Sequence, residues 1–242
     1  MLNLAHRGFS GRYPENTMEA FEAALAVEGC DGIENDVHLT KDGELVIIHD
    51  ETIDRTCNNG TGWIRDYTLE ELRQFDMSAG FPEQGFHHLP TLREYMELVK
   101  DKDIITNIEL KTGILTYPGI EEKTLEMIRE YDLSERVLIS SFNHFSVVHF
   151  KELAPDIKCG FLSYNWMFDM GEYTKKHGVE CYHPLFQNMT DEYIVELKEH
   201  GVEVNVYEVN EPEDVREMLR VGVDGIIGNF PDVAAKVIRE YK

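Results

Sequence analysis

The sequence has few positive charges, few cysteines and no long apolar run. Its 242 residues include 46 acidic but only 23 basic side chains, which gives a formal net charge of -23. A surface with this excess of negative charge repels nucleic acid and anionic membranes, so we expect neither nucleic acid nor a stable membrane association. It also repels an anionic substrate at long range, so a phosphate site needs a local reversal of charge.

The scarcity of cysteine and of long apolar stretches indicates the compartment. The cysteines are Cys30, Cys57, Cys159 and Cys181. They are far apart and form no Cys-x-x-Cys pair, which predicts reduced and mostly buried thiols. No apolar stretch approaches the roughly 18 residues of a membrane span, and a predicted strand directly after Met1 leaves no room for a signal peptide. The expected location is the cytoplasm.

Apolar segments with strand character alternate with helical patterns along the whole chain. Setting aside an additional short strand at residues 45–48, the alternation gives about eight strand–helix units. Strands that alternate with helices predict a parallel sheet, and eight such units in 242 residues predict one α/β domain over residues 1–242, a closed (β/α)8 TIM barrel. A doubly wound open sheet is the alternative, but the first strand is followed by no Gly-x-Gly-x-x-Gly, which argues against a dinucleotide site.

Residues 50–89 break this alternation. They are rich in Asn, Gly, Thr and Asp and contain one short helical stretch, residues 68–75. Long loops at the C-terminal face of a barrel often cover the active site, so we predict an insertion that forms a small cap over the mouth of the barrel. The aromatic residues that would pack this cap are Trp63, Phe75, Phe81 and Phe86. The alternative is a self-packed surface appendage.

Charged side chains stand at the predicted strand ends, which converge on one face of a barrel. Because strand side chains alternate, Glu34 and Asp36 share one face, and so do Glu109 and Lys111. Three carboxylates (Glu34, Asp36 and Glu109) favour a hard cation, Mg2+ or Ca2+, over zinc. The alternative is that they are solvated strand-end acids in a very acidic protein.

Two histidines accompany these acids. Imidazole titrates near neutrality, so His6 and His49 are candidates for an acid–base pair in which one accepts a proton and the other donates one. With Arg7 as a cation and the carboxylates nearby, the grouping contains the parts that hydrolysis of a phosphate diester requires. The other histidines have no such context, and we expect surface or supporting positions for them, with His183 the least certain because it ends a strand.

The motifs occur in an order that resembles the glycerophosphodiester phosphodiesterase family across nearly the whole chain. Each motif is weak alone, but the ordered combination is highly specific. The motifs are His6-Arg7-Gly8, Pro14-Glu15-Asn16-Thr17, Glu34-x-Asp36, His49-Asp50, Asp54-Arg55-Thr56, Asn59-Gly60-Thr61-Gly62, Pro90-Thr91-Leu92, Ile108-Glu109-Leu110-Lys111, Ser140-Ser141-Phe142 and Gly225-x-x-x-Asn229-Phe230-Pro231-Asp232.

The resemblance implies a metal-dependent enzyme that hydrolyses glycerophosphodiesters to glycerol 3-phosphate and an alcohol such as choline, ethanolamine or glycerol. The attacking group is either water or the glycerol 2-hydroxyl. The implied roles are metal ligation by Glu34, Asp36 and Glu109, acid–base catalysis by His6 and His49, phosphate binding by Arg7 and Lys111, and a pocket wall from Phe142 and Tyr207. Buried packing is an equal interpretation for the two aromatic residues, and an ion pair with neighbouring acids is the alternative for the two cations.

Two departures from the family pattern affect the expected choice of leaving group. Tyr207-Glu208 stands where the family usually has Trp-Thr, and Gly228 precedes Asn229 where a threonine is more usual.

Two other functions are alternatives to this one. The first is a phospholipase D-like enzyme acting on lysophospholipids. Against it, the sequence shows no export signal and no exposed apolar or basic helix that would bind a membrane. The second is a non-catalytic barrel that binds phosphodiesters. The candidate acid–base pair argues against it, because binding alone does not need such a pair.

Overall fold

Strands and helices alternate through the computed structural model, which describes residues 1–241. The strands are β1 (Leu2–His6), β2 (Gly32–Leu39), β3 (Leu45–Ile47), β4 (Ile105–Leu110), β5 (Val137–Ser141), β6 (Lys158–Ser163), β7 (Cys181–Pro184), β8 (Glu203–Tyr207) and β9 (Gly225–Gly228). The α-helices are α1 (Met18–Leu25), α2 (Leu69–Leu72), α3 (Leu92–Val99), α4 (Ile120–Glu130), α5 (His144–Leu153), α6 (Met170–Lys176), α7 (Asp191–Glu199), α8 (Pro212–Val221) and α9 (Pro231–Glu240).

Within residues 1–241, eight strands close into a parallel barrel in the order β1-β2-β4-β5-β6-β7-β8-β9. The pairing of β9 with β1 completes the ring, with Leu4 opposite Ile227. Strand β3 stays outside this ring, because it pairs antiparallel with the end of β2. The predicted (β/α)8 barrel, with a departure from the alternation after the second strand, is therefore confirmed.

The sequence pattern explains why these elements pack as they do. Every residue of β2 is buried, as expected for a strand covered on both faces. Helix α3 buries Leu92, Tyr95, Met96 and Val99, which the helical period places on one side. Its start is fixed by a capping box, in which Thr91 and Glu94 satisfy each other's backbone N–H groups. The barrel thus provides a rigid frame for the strand ends.

The loop before the first helix, which begins at Met18, supplies both the helix cap and a contact to β2. Its N-cap is Thr17, whose side chain accepts from the backbone N–H of Ala20 at 3.3 Å. Asn16 instead has a positive φ of 56° and donates its side-chain amide to Asp36 at 2.9 Å. Asparagine tolerates this backbone conformation better than most residues, and its short side chain can then reach β2.

Strand β3 and the segment after it contribute to a second, small apolar cluster, distinct from that of the barrel. Its buried members are Val46, Ile48, Ile53, Cys57, Ile64, Leu72, Met77 and Leu89. These are mostly aliphatic, whereas Trp63 and Phe86 are exposed and Phe75 packs only at the margin. The aromatic packing expected from the sequence is therefore replaced by aliphatic packing, because so small a cluster has little interior for large rings.

Among the helices of residues 1–241, none combines the length and the apolar character that crossing a bilayer requires.

Candidate active site

The strand ends on one face of the barrel place the charged side chains singled out from the sequence. His6 ends β1, and its register partner on β2 is Glu34. Two residues further along β2, Asp36 is the register partner of Glu109 on β4. Because parallel strands of a barrel end at the same rim, these four side chains meet at its C-terminal face.

Three buried carboxylates face one another at this rim. One oxygen each from Glu34, Asp36 and Glu109 lie within 4.8 Å of one another. Burial, together with the charges of Asp36 and Glu109, raises the pKa of Glu34 well above its usual range. A compact group of oxygen ligands with excess negative charge is the type of site that binds Mg2+ or Ca2+.

Two cations offset part of this negative charge. Lys111 Nζ lies 2.8 Å from Glu109 and 3.5 Å from Asp36, and Arg7 Nε lies 3.4 Å from Asp36. Although burial opposes it, Lys111 and Arg7 lower the pKa of Asp36 below its usual range. Within residues 1–241, Asp36 Oδ1 nevertheless accepts no hydrogen bond. A cation bound by the three carboxylates would satisfy this buried oxygen, so the residues fit a metal.

A hydrogen-bond network orients His6. Its Nδ1 lies 2.7 Å from Asn229 Oδ1 and 3.4 Å from Glu208 Oε2. The Asn229 side chain is held in turn, because its Nδ2 donates to Glu208 at 3.1 Å. Since both neighbours of Nδ1 are acceptors, the network assigns the ring hydrogen to Nδ1. The other ring nitrogen, Nε2, lies on the side of the carboxylates, 3.9 Å from Glu34 Oε2.

A second network orients His49 and links it to Arg7. His49 Nδ1 lies 2.6 Å from Asp50 Oδ1, and Arg55 donates to Asp50 at 2.8 Å. The hydrogen bond with His49 is the main cause that lowers the pKa of Asp50 well below its usual range. Arg55 also donates to Glu15 at 2.7 Å, and Glu15 accepts from Arg7 at 2.9 Å. The histidine and the arginine are therefore positioned by one chain of ion pairs.

These groups surround a pocket of about 210 Å³, which is the candidate catalytic pocket. Its lining consists of His6, Arg7, Glu34, His49, Asn107, Glu109, Phe142, Leu162, Tyr207, Glu208 and Ile227. Phe142 and Tyr207 form one wall, with their rings edge to face and the centroids 5.9 Å apart. Asp36 is fully buried and does not line the pocket itself, and Lys111 lines an adjoining cavity. All of the site residues singled out from the sequence are thus brought into one region.

The segment 50–89 reaches this region only at its beginning. Asp50 and Arg55 take part in the ion pairs beside His49, and Glu51 lines the adjoining cavity. None of residues 63–86 belongs to the lining of the catalytic pocket. The segment therefore lies beside the site and supports it, which differs from the cap over the mouth expected from the sequence.

Several residues that hold the site in place were assigned no role in the analysis of the sequence. Glu208 and Asn229 directly follow β8 and β9, and Asp50 directly follows His49. The signal that indicates Glu208 and Asn229 is their position as polar residues at strand ends, the same signal that singles out His6 and Glu34. Asn16, which holds Asp36, lies in the loop before α1 and not at a strand end, so only its place in the motif Pro14-Glu15-Asn16-Thr17 singles it out.

The remaining histidines lie outside the described pocket lining. His183 is fully buried on β7, where its Nε2 lies 3.1 Å from the Asn205 amide and burial lowers its pKa to about 3. His38 is also buried, and its Nε2 donates to the backbone oxygen of His49 at 3.2 Å. Burial lowers the pKa of His38 to about 4. Both rings are therefore buried in the protein, although the sequence analysis expected surface or supporting positions for these histidines.

Sequence comparison identifies the family of this barrel. A sequence profile of the glycerophosphoryl diester phosphodiesterase family matches residues 6–233, a span that includes every strand end described above. The chain belongs to this family. The prediction of an enzyme of the glycerophosphodiester phosphodiesterase family is thereby confirmed.

Relatives of the same family match over nearly their full length. The chain is 44% identical over 240 residues to a glycerophosphodiester phosphodiesterase of Caldanaerobacter subterraneus subsp. tengcongensis, covering 99% of this chain and 98% of the relative. It is also 44% identical over 242 residues to a glycerophosphodiester phosphodiesterase of Bacillus altitudinis, covering 98% of each. Among solved structures, a phosphodiesterase of Oleispira antarctica in complex with the product sn-glycerol-3-phosphate matches with a TM-score of 0.86 and 28% identity, covering 99% of this chain and 97% of that chain.

Proposed function

We propose that this phosphodiesterase hydrolyses glycerophosphodiesters to glycerol 3-phosphate and an alcohol such as choline, ethanolamine or glycerol. One observation carries the proposal: two histidines, each held at Nδ1 by oxygen acceptors, line one pocket together with buried carboxylates. Pure binding needs no such acid–base pair, which argues against a non-catalytic barrel. The names of the relatives and the product bound to the Oleispira antarctica phosphodiesterase support the same substrate class.

We assign Glu34, Asp36 and Glu109 as the ligands of one divalent cation, Mg2+ or Ca2+. When bound, such a cation supplies a Lewis acid that polarises a phosphate oxygen. Arg7 and Lys111 add fixed positive charge beside the same carboxylates, and the guanidinium fork of Arg7 suits two phosphate oxygens. Both side chains are already in place and largely shielded from water, so little reorganisation is needed as charge builds on phosphorus.

The proton transfers are assigned to His6 and His49. One imidazole takes the proton of the attacking hydroxyl, from water or from the glycerol 2-hydroxyl, and the other donates a proton to the leaving alcohol oxygen. Glu208 and Asp50 stand beside the respective Nδ1 atoms, where a carboxylate stabilises the protonated ring. The rings of Phe142 and Tyr207 shield one side of the reacting phosphate from water.

We further infer one catalytic domain over residues 1–242, with residues 50–89 as an insertion within it. The separate apolar cluster of this segment and its contacts through Arg55 support that division. A cytoplasmic location is consistent with the free thiols of Cys57, Cys159 and Cys181, all of which are buried.

The test is incubation of the purified protein with glycerophosphocholine and Mg2+ or Ca2+, with both possible product pairs measured. Glycerol 3-phosphate and choline are expected, and the His6→Ala variant is the control for a contaminating activity. Formation of phosphocholine and glycerol would contradict the assigned leaving group. Tight binding of glycerophosphocholine with no turnover would favour the non-catalytic alternative.

A further inference from the structure

A cavity of about 100 Å³ enters the barrel from its N-terminal face, opposite the active site. We call it the basal cavity and define it by Leu2, Leu4, Asn107, Lys158, Glu203 and Asn205. Its outer end lies at the starts of the strands, where Lys158 donates to Glu203 at 2.5 Å. Its inner end is formed by Asn107 and Asn205, both of which are buried in the barrel. At roughly 30 Å³ per molecule in the liquid, the basal cavity has space for about three water molecules.

The basal cavity comes within one side chain of the catalytic pocket. Asn107, in the middle of β4, lines both of them. Because strand side chains alternate, Glu109 lies on the same face of β4, one step nearer the active site. In the same way, Asn205 of the basal cavity lies one step below Tyr207 of the pocket wall on β8. A single layer of side chains therefore separates the active site from the opposite face of the barrel.

This middle layer is polar, whereas branched apolar side chains usually fill the interior of such a barrel. Its polar members are Asn107, Ser140, His183 and Asn205, each at most 2% exposed. Two hydrogen bonds join them in pairs. Asn107 donates its amide to the hydroxyl of Ser140 at 3.1 Å, and the Asn205 amide lies 3.1 Å from Nε2 of His183.

Two glycines on neighbouring strands make room for these polar side chains. A Cβ atom on Gly160 would lie 2.7 Å from Nε2 of His183, and one on Gly225 would lie 2.5 Å from Oδ1 of Asn205. Both distances are shorter than van der Waals contact allows. Neither glycine has a positive φ, so the backbone conformation does not require glycine here. The polar layer does require it, because larger residues would displace the imidazole and the amide.

Three atoms of the layer have no hydrogen-bond partner within residues 1–241: Asn107 Oδ1, Asn205 Oδ1 and His183 Nδ1. Burial lowers the pKa of His183 to about 3, so its ring is neutral. Since Nε2 accepts from the Asn205 amide, the ring hydrogen is assigned to Nδ1. The set thus contains two acceptors and one donor. A metal ion satisfies only acceptors and an anion only donors, whereas water satisfies both and is the usual partner of such buried atoms.

We propose that a row of water molecules extends through this polar layer from the basal cavity to the catalytic pocket and supplies the water that hydrolysis consumes. The inference rests on the proposed function, in which each turnover uses one water molecule, whether water or the glycerol 2-hydroxyl attacks first. Its oxygen ends on phosphorus and one of its protons on the leaving alcohol, so no further reactant is needed. A diester bound at the C-terminal face stands between bulk water on that side and phosphorus, whereas the basal cavity opens on the other face.

A crystal structure of the unliganded enzyme tests the water positions independently of turnover. Ordered waters are expected within about 3.2 Å of Asn107 Oδ1, Asn205 Oδ1 and His183 Nδ1. The Asn205→Leu variant, which replaces the amide by an apolar group of similar size, should lose the waters at positions 183 and 205. The conservative Asn205→Ser variant should keep a water there. Ordered density that shows no water at the three atoms would overturn the inference.

Competition between water and methanol tests the supply of water. In buffer with methanol, attack by water on glycerophosphocholine gives glycerol 3-phosphate, and attack by methanol, which can enter through the mouth of the pocket, gives glycerophosphomethanol. Asn205→Leu should lower the ratio of the first product to the second by about fivefold, whereas Asn205→Ser should change it by less than about twofold. Leu2→Trp, which fills the outer end of the basal cavity, should lower the ratio as well and serves if Asn205→Leu does not fold. A purely structural role of Asn205 would slow both products equally.

The outcomes distinguish this inference from the proposed function. An unchanged product ratio in the folded Asn205→Leu or Leu2→Trp variant, with hydrolysis intact in the parent enzyme, overturns the water supply and leaves the proposed function standing. If methanol gives no product in any variant, kcat for hydrolysis decides: an about fivefold loss in Asn205→Leu but not in Asn205→Ser supports the supply, and equal values overturn it. If the parent protein does not hydrolyse glycerophosphocholine, the proposed function fails, while waters at the three atoms still support the row through the barrel.

Discussion

The carboxylate of Glu208 lies 3.4 Å from Nδ1 of His6, on the side of the ring that faces away from the three buried acids. The hydrogen bond with His6 is the main cause that lowers the pKa of Glu208 to about 2, so the carboxylate is ionised at neutral pH. The family resemblance implies a threonine at this position. In this enzyme a full negative charge therefore stands beside His6 where a neutral hydroxyl is more usual.

Because that charge stabilises the protonated form of His6, replacing Glu208 should affect proton transfer more than substrate binding. We expect Glu208→Gln to lower kcat on glycerophosphocholine by about tenfold, with KM changed by less than about twofold. Glu211→Gln, which removes the same charge from an exposed neighbour, should leave both constants unchanged. Steady-state kinetics separate the two roles, since a raised KM with unchanged kcat would mean that Glu208 binds substrate.

The cluster of three buried carboxylates predicts that activity requires a divalent cation. Without one, Glu34, Asp36 and Glu109 repel one another at short range, so the metal-free protein should be inactive and should melt at a lower temperature. We expect EDTA to abolish activity and Mg2+ or Ca2+ to restore both activity and melting temperature. Glu34→Gln and Glu109→Gln should each need more metal for half-maximal activity, whereas Glu152→Gln on the exposed side of α5 should not. Full activity in excess chelator would refute the assignment.

The histidine pair predicts a large loss of turnover without loss of the fold. His6→Ala and His49→Ala should each lower kcat by about 100-fold or more, because each removes one proton-transfer group. His88→Ala is the control, since its ring lies 3.5 Å from Glu94 and outside the pocket lining. Circular dichroism and melting temperature should match the parent protein for all three. A loss at His88 as large as at His6 would show that the wrong pair had been chosen.

Local sequence patterns were sufficient to predict the barrel and the position of its charged strand ends. Glu34 and Asp36 lie two residues apart on β2, so their common face follows from strand geometry alone. The partners of His6 could not be predicted in this way, because Asn229 lies 223 residues away in sequence. Only closure of the barrel, through the pairing of β9 with β1, brings these two residues together.

The loops were harder to predict than the strands. Aromatic residues in segment 50–89 suggested a cap, but Ile64, Leu72 and other aliphatic side chains form its buried cluster. In the loop after β6, the apolar run Trp166-Met167-Phe168 has no period that would assign it to a buried face. Its exposure beside the catalytic pocket depends on how neighbouring loops pack, which no local pattern specifies.

Arg55 provides the last prediction, because it is the residue through which the insertion acts on the site. Its guanidinium holds Asp50, the partner of His49, and Glu15, the partner of Arg7. Arg55→Ala should therefore misplace both groups and lower kcat/KM by about tenfold. Arg65→Ala, an exposed arginine of the same insertion that packs over Trp63, is the matched control and should have no effect.

The relative rates on different substrates distinguish an insertion that only positions the site residues from one that contacts the substrate. Since residues 63–86 do not line the catalytic pocket, we expect Arg55→Ala to slow glycerophosphocholine, glycerophosphoethanolamine and glycerophosphoglycerol by the same factor. A Gly/Ser loop in place of residues 63–86 should likewise preserve the ranking in any variant that still folds and binds metal. A changed ranking in either variant would show that the insertion contacts the alcohol in the catalytic complex, because a residue that only positions His49 and Arg7 affects every substrate through the same reacting phosphate.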